Sequence, residues 1–136
     1  MIEDNLPPSY TLELLPGKYA ICRLPEESPD PEWAKSAAFL GILRRPGELS
    51  IVCTERFVPP EVKAERGWRI LQVAGQMDFS LVGVLASLLA PLARAEISVF
   101  VLSTYDTDLI LVKESALDKA VQALQHAGHV VRTAQG

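Results

Sequence analysis

The stretch from Ser98 to Val112 constrains the fold more than any other part of the chain. It reads Ser-Val-Phe-Val-Leu-Ser-Thr-Tyr-Asp-Thr-Asp-Leu-Ile-Leu-Val. Two apolar runs, each too short for a stable helix and rich in β-branched residues, flank a polar cluster from Thr104 to Asp108. Such runs favour the pleated, buried backbone of a strand, so the stretch predicts a hairpin within a sheet. The turn is polar because a chain reversal leaves peptide groups without ladder partners, and Thr and Asp side chains satisfy them locally. A loop held by a rigid sheet is also where ligand-binding groups tend to sit. Both readings of Thr104–Asp108, a simple turn and a binding loop, stand at this point.

The flanking segments turn the hairpin into a larger pattern. Trp68 to Ala74 reads as a strand, and Leu81, Leu85, Leu88 and Leu92 recur at helical spacing after it. Pro91 is expected to bend or end that helix, because it lacks an N–H and its ring crowds the preceding turn. Glu114 to Ala127 forms a second amphipathic helix with Leu117, Val121 and Leu124 on one side; Gly128 closes it, and His129 to Arg132 makes a last strand. The order is β-α-β-β-α-β, the ferredoxin-like arrangement. The back of the first helix (Gly83, Ala86, Ser87, Ala90) is small and uncharged. A helix of that kind is expected to be covered on both sides, by the amino-terminal half or by a second subunit.

The amino-terminal half is strand-rich. Tyr10–Leu15, Tyr19–Leu24, Phe39–Leu43 and Leu49–Thr54 are candidate strands, with Pro16-Gly17 and Pro46-Gly47 as turns and a short helix around Glu32 to Ala37. A break from Val58 to Gly67 separates the halves. The expected fold is α+β, with antiparallel sheets and helices on one face. Residues 1–66 form a β-rich unit and 67–136 a β-α-β-β-α-β domain.

Composition excludes several function classes. A formal net charge of −4 and only one basic pair, Arg44-Arg45, give no footprint for nucleic acid or an anionic membrane. No stretch approaches the roughly 20 apolar residues that cross a bilayer, and the acidic start, Met1 to Asn5, is unlike a secretory signal. A cytoplasmic location is expected. Cys22 and Cys53 stand singly in apolar runs and are expected to be free and buried; a disulfide requires their strands to be neighbours. His126 and His129 have no nucleophile or further metal ligand at suitable spacing. Asp106 and Asp108 alternate by two, without a partner acid or base, and no glycine-rich phosphate loop is present. The chain reads as a non-enzyme without cofactor or metal.

Binding chemistry fits better. Helix-start amides near Asp78–Gly83 are a natural seat for a carboxylate, although Asp78 or Ser80 serves equally as a plain N-cap. An acid on the hairpin turn would complement an ammonium group. A zwitterion, and so a free amino acid, suits that pair.

With these segments in view, the chain resembles the ACT-domain superfamily, most closely the two-part bacterial ACT proteins and the CASTOR-type arginine sensors. The likeness is carried by Asp78-Phe79-Ser80-Leu81-Val82-Gly83-Val84-Leu85-Ala86, by Pro91 to Val99, and above all by Leu102 to Val112. It covers about residues 67 to 133; residues 1–66 resemble a degenerate ACT-like unit more loosely. The resemblance implies an amino-acid-binding regulatory module with its ligand between two ACT units, hence a homodimer here. It implies contacts from Ser80, Leu81, Val82 and Gly83 in the helix-start loop, Ser98 and Val99 at a strand start, and Thr104, Tyr105 and Asp108 in the hairpin. The alternative is a structural interaction module with no small-molecule ligand.

Overall fold

The computed structural model describes residues 8–75 and 83–134. Its strands are β1 (Thr11–Leu14), β2 (Tyr19–Leu24), β3 (Leu40–Arg45), β4 (Glu48–Thr54), β5 (Ala64–Val73), β6 (Val99–Ser103), β7 (Asp108–Lys113) and β8 (Val130–Thr133). The helices are α1 (Val84–Arg94) and α2 (Leu117–His126). No helix among the described residues is long and apolar enough to cross a membrane. Two compact units are present. One joins the residues up to Pro16 with those from Ile70 onward, and the other is Gly17–Arg69.

The first unit carries the expected β-α-β-β-α-β order in β5-α1-β6-β7-α2-β8. Leu71 and Val73 of β5 and Ile110 and Val112 of β7 supply a sheet face, onto which Val84, Leu88 and Leu92 of α1 and Ala120 and Leu124 of α2 pack. The sheet holds one strand more than the sequence reading assigned to it. β1 pairs antiparallel with β5 (Leu12↔Val73) and parallel with β8 (Leu12↔Val131), giving the order β8-β1-β5-β7-β6. The boundary at residues 66/67 therefore differs from the contact units, because β1 lies with the carboxy-terminal elements. Leu12 is the reason: its side chain is fully buried in the helix-side core, so Thr-Leu-Glu-Leu has an apolar face to bury there. On β1 and β8, Glu13 and Arg132 form an ion pair at 2.9 Å.

Pro91 does not end α1; it is buried inside it. A proline at this position cannot donate to the carbonyl of residue 87, four positions earlier. His129 occupies that carbonyl instead, with Nε2 3.3 Å from the Ser87 oxygen. Its Nδ1 accepts the Tyr10 backbone N–H at 3.1 Å, which places the ring proton on Nε2, so that Nε2–H donates to Ser87. The Tyr10 ring stacks on the imidazole, and the Val130 N–H bonds the Tyr10 carbonyl at 2.9 Å. One buried imidazole thus ties β1, α1 and β8 together.

Both helices end in the same hydrogen-bond pattern. Ile97 N donates to Leu92 O after α1, and His129 N donates to Leu124 O after α2, each at 3.0 Å. This closure puts the penultimate residue in the left-handed region. Gly128 fills that position after α2 at φ 97°, whereas Glu96 fills it after α1 at φ 61°.

In the second unit β2, β3 and β4 join residues 64–69 of β5 in the order β3-β4-β2-β5, every neighbouring pair antiparallel. This is the ferredoxin-like strand order, with its helices reduced to 3-10 turns at Glu32–Ala34 and Glu55–Phe57. The short helix expected around 32–37 is thus a single 3-10 turn. The core holds Ala20, Cys22, Leu49, Ile51 and Cys53 from the sheet, with Ala34, Val58 and the partly buried Trp33 above them. The strands of the two cysteines are neighbours, but Cys22 faces Ile51 and Cys53 faces Ala20, and both thiols are free. The hydrogen bond to Cys53, together with burial, pushes the Cys22 thiol up and keeps it protonated.

Candidate functional site

The β6–β7 hairpin is in register from Val99↔Val112 to Ser103↔Asp108 and leaves Thr104–Thr107 as the turn. Thr104 does the work of closing it. Its N–H donates to the Thr107 carbonyl at 2.8 Å, and its Oγ1 accepts from the N–H groups of Asp106 and Thr107 at 3.3 and 3.1 Å. Thr107 Oγ1 reaches out of the turn and donates to the Val73 carbonyl at 2.8 Å. The turn is thereby fastened to the end of β5, the strand that leads into the start of α1.

Asp108 is half-buried and receives a 2.6 Å hydrogen bond from Ser103 Oγ, its direct cross-strand neighbour. Tyr105 stands at the tip of the turn with 76% of its surface exposed. Gly83, exposed and at φ 82°, begins α1, and its carbonyl accepts the Ser87 N–H at 2.9 Å. Ser80, Leu81 and Val82 lie outside the described residues. Ser98 is exposed just ahead of β6, and Val99 opens that strand, half-buried.

These residues do not converge on one point. Val99 and Ser103 are the two ends of β6, and a strand advances about 3.4 Å per residue, so the Ser98–Val99 pair stands roughly 13 Å from the Asp108 end. α1 closes through Ala95 and Glu96 directly into Ile97 just ahead of β6, so α1 runs back along the hairpin and its N-cap, Gly83, lies toward the Asp108 end. The candidate set divides into Gly83, Thr104, Tyr105 and Asp108 at one end of the β6 edge and Ser98 and Val99 at the other. Ser103 and Thr107 are part of the hairpin end, and the sequence reading gave them no role. Ser103 was legible in principle, since a four-residue turn sets it opposite Asp108.

On the back of α1, Ala86, Ala90 and Ala93 are exposed among the described residues.

Comparison with known proteins agrees with this architecture. Residues 63–126 match the family model described as the ACT domain, and residues 17–61 match a separate model of an N-terminal domain. The crystal structure of protein Atu0741 from Agrobacterium tumefaciens is similar at 35% identity and a TM-score of 0.89, over 96% of this chain and 97% of that one. A cytosolic arginine sensor for mTORC1, subunit 1, from Pongo abelii is 28% identical over 130 residues. That match takes in 87% of this chain and 39% of the sensor, so the chain spans well under half the length of that relative. The regulatory subunit of aspartate kinase from Thermus flavus shares the fold alone, with a TM-score of 0.60 at 11% identity. The chain belongs to the family of Atu0741, with an ACT domain built on β5-α1-β6-β7-α2-β8.

Proposed function

We propose that the chain is a non-catalytic regulatory protein that binds a free amino acid between the ACT units of two copies. The observation that carries this reading is the division of the candidate residues between the two ends of β6. Two copies related by a two-fold axis, with their β6 edges side by side and antiparallel, bring the Ser98–Val99 end of each against the Gly83–Asp108 end of the other. A zwitterion fits such a seam. Backbone donors at the helix start hold its carboxylate, and Asp108 with strand carbonyls holds its ammonium or a cationic side chain. The exposed alanines of α1 would be covered in the same dimer. The sensor relative is named for arginine and for the cytosol, which supports a cationic amino acid as the first candidate and the cytoplasm as the location. Regulation follows from linkage: a ligand shared by two subunits stabilises the paired arrangement by its differential affinity for it.

The hydrogen bonds that Thr104 makes inside its own turn favour the second reading, a structural interaction module. A thermal-shift screen of the twenty amino acids separates the two. At a ligand concentration of 100 Kd, the native state gains about 2.7 kcal/mol, which is a rise of several degrees in Tm. Asp108→Asn keeps an acceptor for Ser103 Oγ and removes the charge, so it should abolish the shift while leaving the unliganded Tm near wild type. If no amino acid moves the Tm of the folded wild type, the binding reading is wrong and the structural one stands.

A further inference from the structure

The outer edge of the second unit points to an interface of its own. β3 ends the strand order of that unit, so among the described residues one side of its ladder is open. It pairs with β4 over six consecutive positions without a bulge, from Leu40↔Cys53 to Arg45↔Glu48. Large apolar side chains exposed along the described chain number five, and Leu40, Ile42 and Leu43 are three of them, at 39%, 39% and 67%. An open, flat, apolar edge is the feature that folded proteins ordinarily blunt with charge, bulges or cover. β8, the end strand of the first unit, carries the exposed charge of Arg132 in mid-strand, paired with Glu13 of the neighbouring β1. β3 has its charges only at one end, where Arg45 pairs with Glu48 and Arg44 with Asp30.

We infer that β3 pairs antiparallel with β3 of a second copy of this chain, extending the β3-β4-β2-β5 sheet across a two-fold axis. The sequence of the strand selects this occupant. In an antiparallel self-pairing centred between Ile42 and Leu43, each Ile42 meets the Leu43 of the other copy, and Arg44 and Arg45 fall opposite Gly41 and Leu40. A parallel pairing would set arginine beside arginine, which opposing strands avoid. The pattern is self-complementary only in the antiparallel sense, as an isologous contact requires. This seam shares with the function proposed above only the second copy, because every candidate ligand residue lies in the other unit. A chain using both contacts forms a dimer of dimers.

Analytical ultracentrifugation of the full chain tests the seam. Ile42→Lys and Leu43→Lys, both at exposed positions, should each halve the particle mass, measured against the 14.9 kDa chain. Amide hydrogen exchange in the wild type should show residues 40–45 protected at high protein concentration and losing that protection on dilution. Any Tm shift given by an amino acid should persist in both variants. A wild type that sediments at the mass of one chain, or variants that keep the wild-type mass, would overturn the seam. Variants that keep the wild-type mass leave the ligand reading untouched; a wild type of one chain's mass without ligand also removes the unliganded dimer, and the amino-acid screen then decides the ligand reading by itself.

Discussion

The two units share the ferredoxin-like strand order, apart from β1 inserted between β5 and β8 in the first, and differ in what covers it. In the first, α1 and α2 lay Val84, Leu88, Leu92 and Leu124 over β5 and β7, and the sheet beneath presents Leu71, Val73, Ile110 and Val112. In the second, 3-10 turns and loops bring Ala34, Val58 and Trp33, and the sheet presents Ala20, Cys22 and Cys53 beside Leu49 and Ile51. A helix holds several side chains at once over a sheet, with its axis some distance above the strands. A turn brings one or two, closer in, and the residues below shrink to match. The ferredoxin-like order therefore does not need its helices to form, but the composition of the sheet records whether it has them.

Four substitutions test that difference. The largest effect is expected at His129, because the helical cover of the first unit depends on it. His129→Phe keeps the ring and strands the Tyr10 N–H and the Ser87 carbonyl, each a buried or part-buried group costing about 1–3 kcal/mol, so a loss of roughly 2–4 kcal/mol is expected in urea unfolding. Adding Pro91→Ala should recover part of it, since an alanine N–H at 91 reaches the Ser87 oxygen. Full additivity in that cycle would show that the imidazole does not stand in for the missing helix bond. Next comes Cys53→Leu in the thinly covered unit, where extra volume has no room; about 1–3 kcal/mol should be lost. A neutral result would mean that the turns above the sheet yield, and that the small residues do not reflect close cover. The smallest effect is a gain. Glu96→Gly should raise stability by about 0.5–1 kcal/mol, bringing the end of α1 level with the glycine-closed end of α2.

Much of this was legible in the sequence, and the misses have physical causes. The β-α-β-β-α-β order came from periodicities that are local: Leu117, Val121 and Leu124 for α2, and two β-branched runs for the hairpin. The place of β1 was hidden, because Thr11–Leu14 is short and its partners lie beyond residue 70 in sequence. Pro91, expected to bend or end α1, does not end it, for a similar reason. The rule that proline ends a helix assumes an unpaired carbonyl, and the donor that pairs it comes from position 129. Of the candidate site, the polar hairpin turn was legible from its composition, while the distribution of the candidate residues over the two ends of β6 follows from register, which a sequence does not display. The separation of Ser98 from Asp108 is what turns a single pocket into a proposed shared one.

The position of β1 has a further consequence for how the molecule is made. Its neighbours in the sheet are β5 and β8, and Tyr10 bonds a histidine 119 residues later. During synthesis the first strand emerges early and waits, edges open, while Gly17–Arg69 can already close on itself. The unit that holds β1 is sealed only when β8 arrives. Pairings so distant in sequence slow folding and prolong the exposure of sticky intermediates. A nascent chain of this design is most vulnerable to misassociation before β8 has emerged.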